Sequence, residues 1–572
     1  MDMLHQLSRR GPIARFLSRT LLFIALAEAT VGCQSQKADQ AAVGELAGGK
    51  EREKSRAVAD KVTGTDTGSG QALGQVAGQS LGQASGSGSA GPSTVAPGYI
   101  AADGRMVAPR PADPTTGEGY KDHGTNAWID ATKDHLSTFA ADVDTASYTI
   151  ARRKLTEGVL PPTAAVRVEE FINYFHYGYA APASGQPFAV HMDAAPSPFN
   201  SGRHILRVGV TTKAKSVSAR KKANLVFLVD VSGSMQSPDK LELAKRSLRI
   251  LVDNLKDGDT VALVTYAGST RVVLPATGLE HRNQIIAALE ELTAGGSTAM
   301  ASGIDLAYHE AMKGLAPDAE SRVIIVSDGD ANVGTTSYQE ILDGIAGKVK
   351  EGVTLSTIGF GMGNYQDETM EQLANKGNGN NFYIDGLSQA KRVFAEQLGA
   401  TLEVVAQDVK LQVDFDPRMV ARYRLVGYEN RDLADDSFRD DKVDAGEIGA
   451  GHQVTALYEL ELVKSIDKSL PLATVRVRHK LPKGTKAEEA AFTFDQGMRA
   501  ATFAAASSDL RFAFATAAFA DVLRGAEDAE HWSLAEIQTI AAAAAGTDAD
   551  RKELVTLIAK ARALKGGTAI AP

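Results

Sequence analysis

At 572 residues the chain is long enough for several domains of roughly 100 to 200 residues, which argues against a single core. A formal charge of −9, with no basic block beyond the extreme N-terminus, argues against nucleic acid as a partner. Cys33 is the only cysteine, which excludes an intrachain disulfide and any thiolate zinc or iron–sulfur site built from this chain alone.

Residues 1–33 carry Arg9, Arg10, Arg15 and Arg19, then the apolar LLFIALA and the small residues of ATVGC, the layout of an export signal. The apolar run is too short to span a bilayer. With Cys33 at the point of cleavage, the stretch resembles a bacterial lipoprotein signal. That resemblance implies a lipidated Cys33 and an extracytoplasmic protein anchored to a membrane, with Gln34 favouring the outer membrane over the inner. Residues 34–120 are rich in Gly, Ser, Ala, Gln and Pro, with Gly-Gln pairs beginning at Gly70, Gly74, Gly78 and Gly82. Such composition cannot bury enough apolar surface to offset ordering entropy, so a disordered tether is expected, spanning on the order of 50 Å. GQSLG at 78–82 matches the nucleophile-elbow string but lacks the flanking strand and helix that motif needs.

Residues 121–222 are expected to form an N-terminal helical segment with flanking strands. A helix begins near Thr145, Pro161 and Pro162 stop it, and a second helix ends in the aromatics of FINYF; FAVHMDAAP and HILRVGVTT then alternate with period 2. The central part, 223–400, alternates apolar strands such as NLVFLVDVS with amphipathic helices such as SPDKLELAKRSLRILVDNLK, where Ser237 reads as the cap and Pro238 as the first helical residue. This predicts an α/β fold with a doubly wound, mostly parallel sheet, whose ligands bind beyond the carboxyl ends of the strands. Residues 401–492 return to period 2 in DVKLQVDFDP, ARYRLVGYE, HQVTALYELELV and LATVRVRHK. Strands therefore flank the central part on both sides, and the expectation is one β-sandwich with the α/β domain inserted into it. Residues 493–572 read as helical, with Ser533 and Glu536 as a capping box, Trp532 and Ile537 as its staple, and Leu554, Leu557, Ile558, Ala561 and Leu564 on one face of the last helix.

Three places at strand or helix ends offer oxygen ligands: DVSGS gives Asp230, Ser232 and Ser234, GGSTAMASG gives Thr298, and VSDGD gives Asp328. Two carboxylates and three hydroxyls, without His or Cys, suit Mg²⁺, Mn²⁺ or Ca²⁺ rather than zinc. Hydroxyls are neutral, so they hold a dication without quenching its charge.

These motifs, with Gly303 five residues after Thr298, resemble the metal-ion-dependent adhesion site of von Willebrand factor type A (VWA) domains over about 224–400. The resemblance implies that Ser232, Ser234 and Thr298 coordinate the ion, that Asp230 and Asp328 bind it directly or through water, and that a protein partner completes the shell with an Asp or Glu carboxylate. FAADVDTASYTIARRKL, GFGMGNYQDETMEQLA and DDKVDAGEIGAGHQVTALYELE resemble the YfbK-like bacterial extracytoplasmic VWA proteins from about residue 130 to the C-terminus.

Other signals are weaker. GFGMGN has Asn364 where a dinucleotide fingerprint needs its third glycine. DGDANVG lacks the distal Glu of a calcium loop. Asp435, Asp436, Asp440, Asp441, Asp444 and Glu447 read as a solvated hairpin, with a second cation site as the alternative. No Ser/His/Asp set, His-Glu-x-x-His or P-loop is present, so the chain is not expected to be an enzyme. The expectation is a membrane-tethered binding module acting through a divalent cation. The alternatives are a cell-envelope scaffold with a purely structural metal and, last, a metal-dependent hydrolase.

Overall fold

A computed structural model describes residues 117–566, apart from 216, 330–337, 398–401, 468 and 483, together with the backbone of 99–100 and 106–107. The expected signal at 1–33, Cys33 and most of the expected tether lie outside the described residues. All the described elements fall within one unit, 92–572.

The first part runs through β1 (Tyr99–Ile100) and β2 (Met106–Val107), which pair with each other, then β3 (Ile129–Asp130), β4 (Leu136–Ala140), α1 (Ala146–Thr156), α2 (Val168–Tyr174), β5 (Phe188–Pro196) and β6 (Arg203–Thr212). Helix α1 stops two residues before Gly158, whose φ of +81° no helix accommodates.

The central part comprises β7 (Lys222–Asp230), α3 (Leu243–Asn254), β8 (Thr260–Tyr266), β9 (Thr270–Gly278), α4 (Arg282–Glu290), α5 (Met300–Lys313), β10 (Ala319–Ser327), α6 (Tyr338–Lys350), β11 (Val353–Phe360), α7 (Asp367–Lys376), β12 (Asn381–Ile384) and α8 (Leu387–Lys391). Its six strands lie in the order β12-β11-β10-β7-β8-β9, parallel throughout except for the antiparallel edge strand β9. The apolar run of β7 serves both faces. Leu225, Phe227 and Val229 pack with Leu248 and Leu251 of α3, whereas Val226 and Leu228 pack with Ile304 and Ala307 of α5 and Ile345 of α6. The helix expected from Ser237 begins there, with Ser237 in the cap position and Pro238 first, but 238–242 form a π-type turn before α3 and the Ser237 hydroxyl donates to Asp239 at 2.5 Å instead of accepting a backbone N–H.

The last part comprises β13 (Val404–Phe415), β14 (Val420–Val426), β15 (Gly446–Gly449), β16 (Gln453–Leu462), β17 (Ala473–Lys480), β18 (Ala487–Thr493), α9 (Ser508–Arg524), α10 (Leu534–Ala544) and α11 (Ala549–Lys565). Two antiparallel sheets join it to the first part: β15-β13-β17-β18 with β4 on β13, and β3-β14-β16-β6-β5. Phe139, Leu411 and Val475 of one sheet and Leu206, Val208 and Tyr458 of the other belong to one apolar core. The chain enters and leaves the central part at neighbouring points, where Lys215 pairs with Glu403.

The expectation of helix from residue 493 is corrected. Strand β18 runs to Thr493, Phe494 is buried in the core of the sheets, and only short 3-10 turns at 496–498 and 503–505 precede the α-helices, which begin at Ser508. Ser507 and Asp548 cap α9 and α11 by accepting from Leu510 N–H and Arg551 N–H at 3.0 and 2.9 Å. The capping box expected at Ser533 is not made: its side chain accepts no backbone bond, and Trp532 packs against Phe199 and Phe514. Among the described residues no helix is long and apolar enough to cross a membrane.

Candidate metal centre

Strands β7 and β10 are parallel neighbours with Val229 opposite Val326, so Asp230 and Asp328 emerge at the same sheet edge. Both are fully buried. Each oxygen of Asp230 is tied down: Oδ1 accepts from Ser232 N–H at 2.8 Å and Oδ2 from the Ser327 hydroxyl at 2.9 Å. Those bonds fold the chain back after the strand and bring the Ser232 and Ser234 hydroxyls within 2.9 Å of each other.

The loop carrying Thr298 is docked on that turn. Gly233 N–H donates to Gly296 O at 3.0 Å and Gly295 N–H to Val231 O at 2.7 Å. Gly296 has φ +90°, which a side chain at this position would strain. Helix α5 follows and approaches β8 so closely that a Cβ on Gly303 would stand 2.9 Å from the Tyr266 Cβ. Thr298 itself is half-buried, and among the described residues its hydroxyl makes no hydrogen bond, so its loop is at the site while its side chain is not tied to the serine pair.

Burial pushes the Asp230 carboxyl up to about 6 against the pull of its serine bonds, and the charge of Asp328 adds to the rise. Beside it stands the hydroxyl of Tyr266, a fully buried residue whose pKa is raised by burial and by the charge of Asp230. Asp328 Oδ2 accepts from Lys240 Nζ at 3.0 Å and from Asn364 Nδ2 at 3.1 Å, and Asn364 Oδ1 accepts from the same ammonium at 2.6 Å. Sequence reasoning missed both residues. Lys240 stood in an amphipathic helix as an ordinary charged position, and Asn364 in GFGMGN as the defect of a nucleotide motif. The signal that could have found Asn364 is topological, since it follows β11, the parallel neighbour of β10.

The residues fit a hard dication. The donor set is all oxygen, and ligands about 2.0–2.1 Å from Mg²⁺ in octahedral array lie about 2.9 Å apart along an edge, the spacing of the serine pair. No group of three or more His, Cys, Asp or Glu able to hold a metal occurs among the described residues, so a site here relies on hydroxyls.

The carboxylates of the acidic stretch at 435–447 are divided among several protein partners. Asp435 accepts from the Thr138 hydroxyl, Asp441 from Arg478 and Glu447 from Asn378, and among the described residues the stretch forms no group of three or more His, Cys, Asp or Glu able to hold a metal.

A doubly wound sheet with oxygen donors at its carboxyl edge defines the class: the family model "von Willebrand factor type A domain" matches residues 224–396. Models described as "von Willebrand factor" and "Uncharacterized protein YfbK, C-terminal" match 114–207 and 400–564. The chain is 39% identical over 474 residues to Uncharacterized protein YfbK of Escherichia coli, covering 78% of this chain and 81% of that one, and it belongs to the YfbK family. Inter-alpha-trypsin inhibitor heavy chain H2 of Mus musculus is 26% identical over 27% of this chain and 17% of its own. Among solved structures, a von Willebrand factor type A protein from Catenulispora acidiphila covers 65% of this chain and 89% of its own with TM-score 0.40 and 16% identity.

Proposed function

We propose that the protein is an extracytoplasmic interaction module, lipid-anchored through Cys33, that captures an acidic side chain of a protein partner at the edge formed by Asp230, Ser232, Ser234, Thr298 and Asp328. The observation that carries this reading is the pairing of the two serine hydroxyls at 2.9 Å over a carboxylate that is itself held by the protein. When bound, Mg²⁺, Mn²⁺ or Ca²⁺ supplies Lewis acidity toward an incoming carboxylate. The chain's own residues do the rest. Ser232 and Ser234 offer neutral oxygens, Asp230 fixes their turn, and the Gly295–Gly296 loop brings Thr298 to the same edge.

The test uses short peptides carrying a single Asp or Glu, and Asn or Gln counterparts, as probes of the full chain. Binding that needs Mn²⁺, disappears in EDTA and in the Ser232→Ala/Ser234→Ala variant, and prefers the acidic peptides supports capture. Equal binding of acidic and amide peptides refutes it. The envelope-scaffold reading is favoured by one observation, that Asp328 already carries a protein cation, Lys240; partner binding unchanged by EDTA would decide for it.

A further inference from the structure

Lys240 is placed with care. Its residue is 6% exposed, and its stem runs along Gly361, where a Cβ would stand 2.3 Å from the lysine Cγ and 2.4 Å from its Cε. Gly361 has φ +74°, so glycine is demanded twice, by backbone and by the stem. The ammonium is then held between Asp328 Oδ2 and Asn364 Oδ1. The loop bearing Asn364 is fixed in turn by Gly363 N–H donating to Glu118 at 2.8 Å. The turn bearing Lys240 is fixed by Arg153, which donates to Asp239 at 2.7 Å. Four segments of chain thus converge to hold one ammonium on a buried carboxylate.

We infer that Lys240 sets the charge balance of the metal centre, weakening its hold on a bare dication and making an anionic ligand the group that neutralises it. The inference rests on the metal reading above and deepens it. Among the described residues of the centre, Asp230 and Asp328 contribute two negative charges when ionised, and Lys240 contributes one positive. A dication therefore brings the centre to +1, away from bulk water, where an unbalanced charge is costly. A carboxylate from outside restores neutrality. With Lys240 removed, the two aspartates neutralise the dication by themselves, and an added carboxylate creates an excess of negative charge. Metal and carboxylate thus bind cooperatively in the native chain, each raising the affinity for the other. Lys240 acts here as a positioning and charge-setting residue.

The test is Mn²⁺ titration of the full chain by calorimetry in chloride and in acetate, for wild type, Lys240→Gln, Lys240→Arg and Ser232→Ala/Ser234→Ala. The inference predicts Mn²⁺ binding at least about fivefold tighter in Lys240→Gln than in wild type. It also predicts that acetate tightens Mn²⁺ binding in wild type and in Lys240→Arg but not in Lys240→Gln. A lysine that only braces the fold would lower the melting temperature of Lys240→Gln while leaving the acetate dependence as it was; that result overturns the inference. Mn²⁺ binding that is lost in the serine variant yet equal in wild type and Lys240→Gln overturns the role of Lys240 and leaves the metal reading standing. Absence of binding in all four proteins overturns both.

Discussion

Gly361 and His452 show how single residues carry testable weight. At φ +74° an L-residue costs about 1–2 kcal/mol from backbone sterics alone. In Gly361→Ala the new methyl also meets the Lys240 stem, so the loss of stability measured by denaturant unfolding should reach at least that amount. His452 is different in kind. Its Nδ1 accepts from Gly449 N–H at 3.2 Å, a bond that requires the neutral ring, and burial with the nearby His176 and Arg322 pushes its pKa down to about 4. The folded pKa lies below the unfolded value of about 6.5, so below 6.5 the unfolded chain binds more protons, and this contribution to stability is lost as pH falls from 6.5 toward 4. Raised carboxyls such as Glu170, pushed up to about 7, tilt the profile the opposite way, so the comparison must be differential. Stability measured from pH 7 to pH 5 should fall less steeply in His452→Gln than in wild type, by at most about 1.4 kcal/mol per pH unit. Parallel profiles would contradict the assignment.

Elements position the site through contacts that the chain's local pattern does not announce. Helix α1 is a buttress. Arg153 reaches Asp239 beside Lys240 and, at 3.0 Å, the Tyr383 hydroxyl, which donates to Gly361 O at 2.6 Å. The next residue, Lys154, pairs at 2.7 Å with Glu118, the carboxylate that holds Gly363 N–H, and both side chains are buried. Removing one partner of such a pair strands a charge, so Lys154→Met should cost about 3–5 kcal/mol, whereas Glu118→Gln/Lys154→Met should recover much of the loss. A double variant as unstable as the single one in thermal melts would show that packing, not charge, dominates.

The Asp230, Ser232 and Ser234 motif was legible because its geometry is local: a strand ends, and alternate side chains face one way. β7 was legible because burial on both faces demands an uninterrupted apolar run. β9 and β18 were not read, for their edge positions leave many of their residues exposed and blur the alternation. Lys240 and Asn364 were harder to read for a further reason: each acquires its meaning only when β7, β10 and β11 lie side by side.

At the scale of the whole folded unit, the central α/β part is bound to its flanks by buried ion pairs as well as by chain continuity. Arg167, from the first part, pairs with Asp367 of α7 and with Glu170, and Arg431, from the last part, pairs with Asp142, Asp144 and Glu371. These guanidiniums sit among several buried carboxylates, so unfolding either region would leave the other with unpaired charge. The wild type is therefore expected to unfold in one cooperative thermal transition over residues 117–566, and Arg167→Met to be destabilised by about 3–5 kcal/mol and to separate the transition into two. A wild type that already melts in two well-separated steps would contradict this coupling. The same architecture places the candidate metal edge where the first and central parts both contribute supports, Glu118 and Arg153 from the one and Lys240 and Asn364 from the other.

The central claim is that Asp230, Ser232, Ser234, Thr298 and Asp328 hold a divalent cation. Isothermal titration of Mg²⁺, Mn²⁺ and Ca²⁺ into the full chain and into its Ser232→Ala/Ser234→Ala variant tests it most directly. Saturable binding at one site per chain in the wild type, lost in a variant that keeps its melting temperature, is the predicted result; binding that survives unchanged in the variant, or none in the folded wild type, contradicts it.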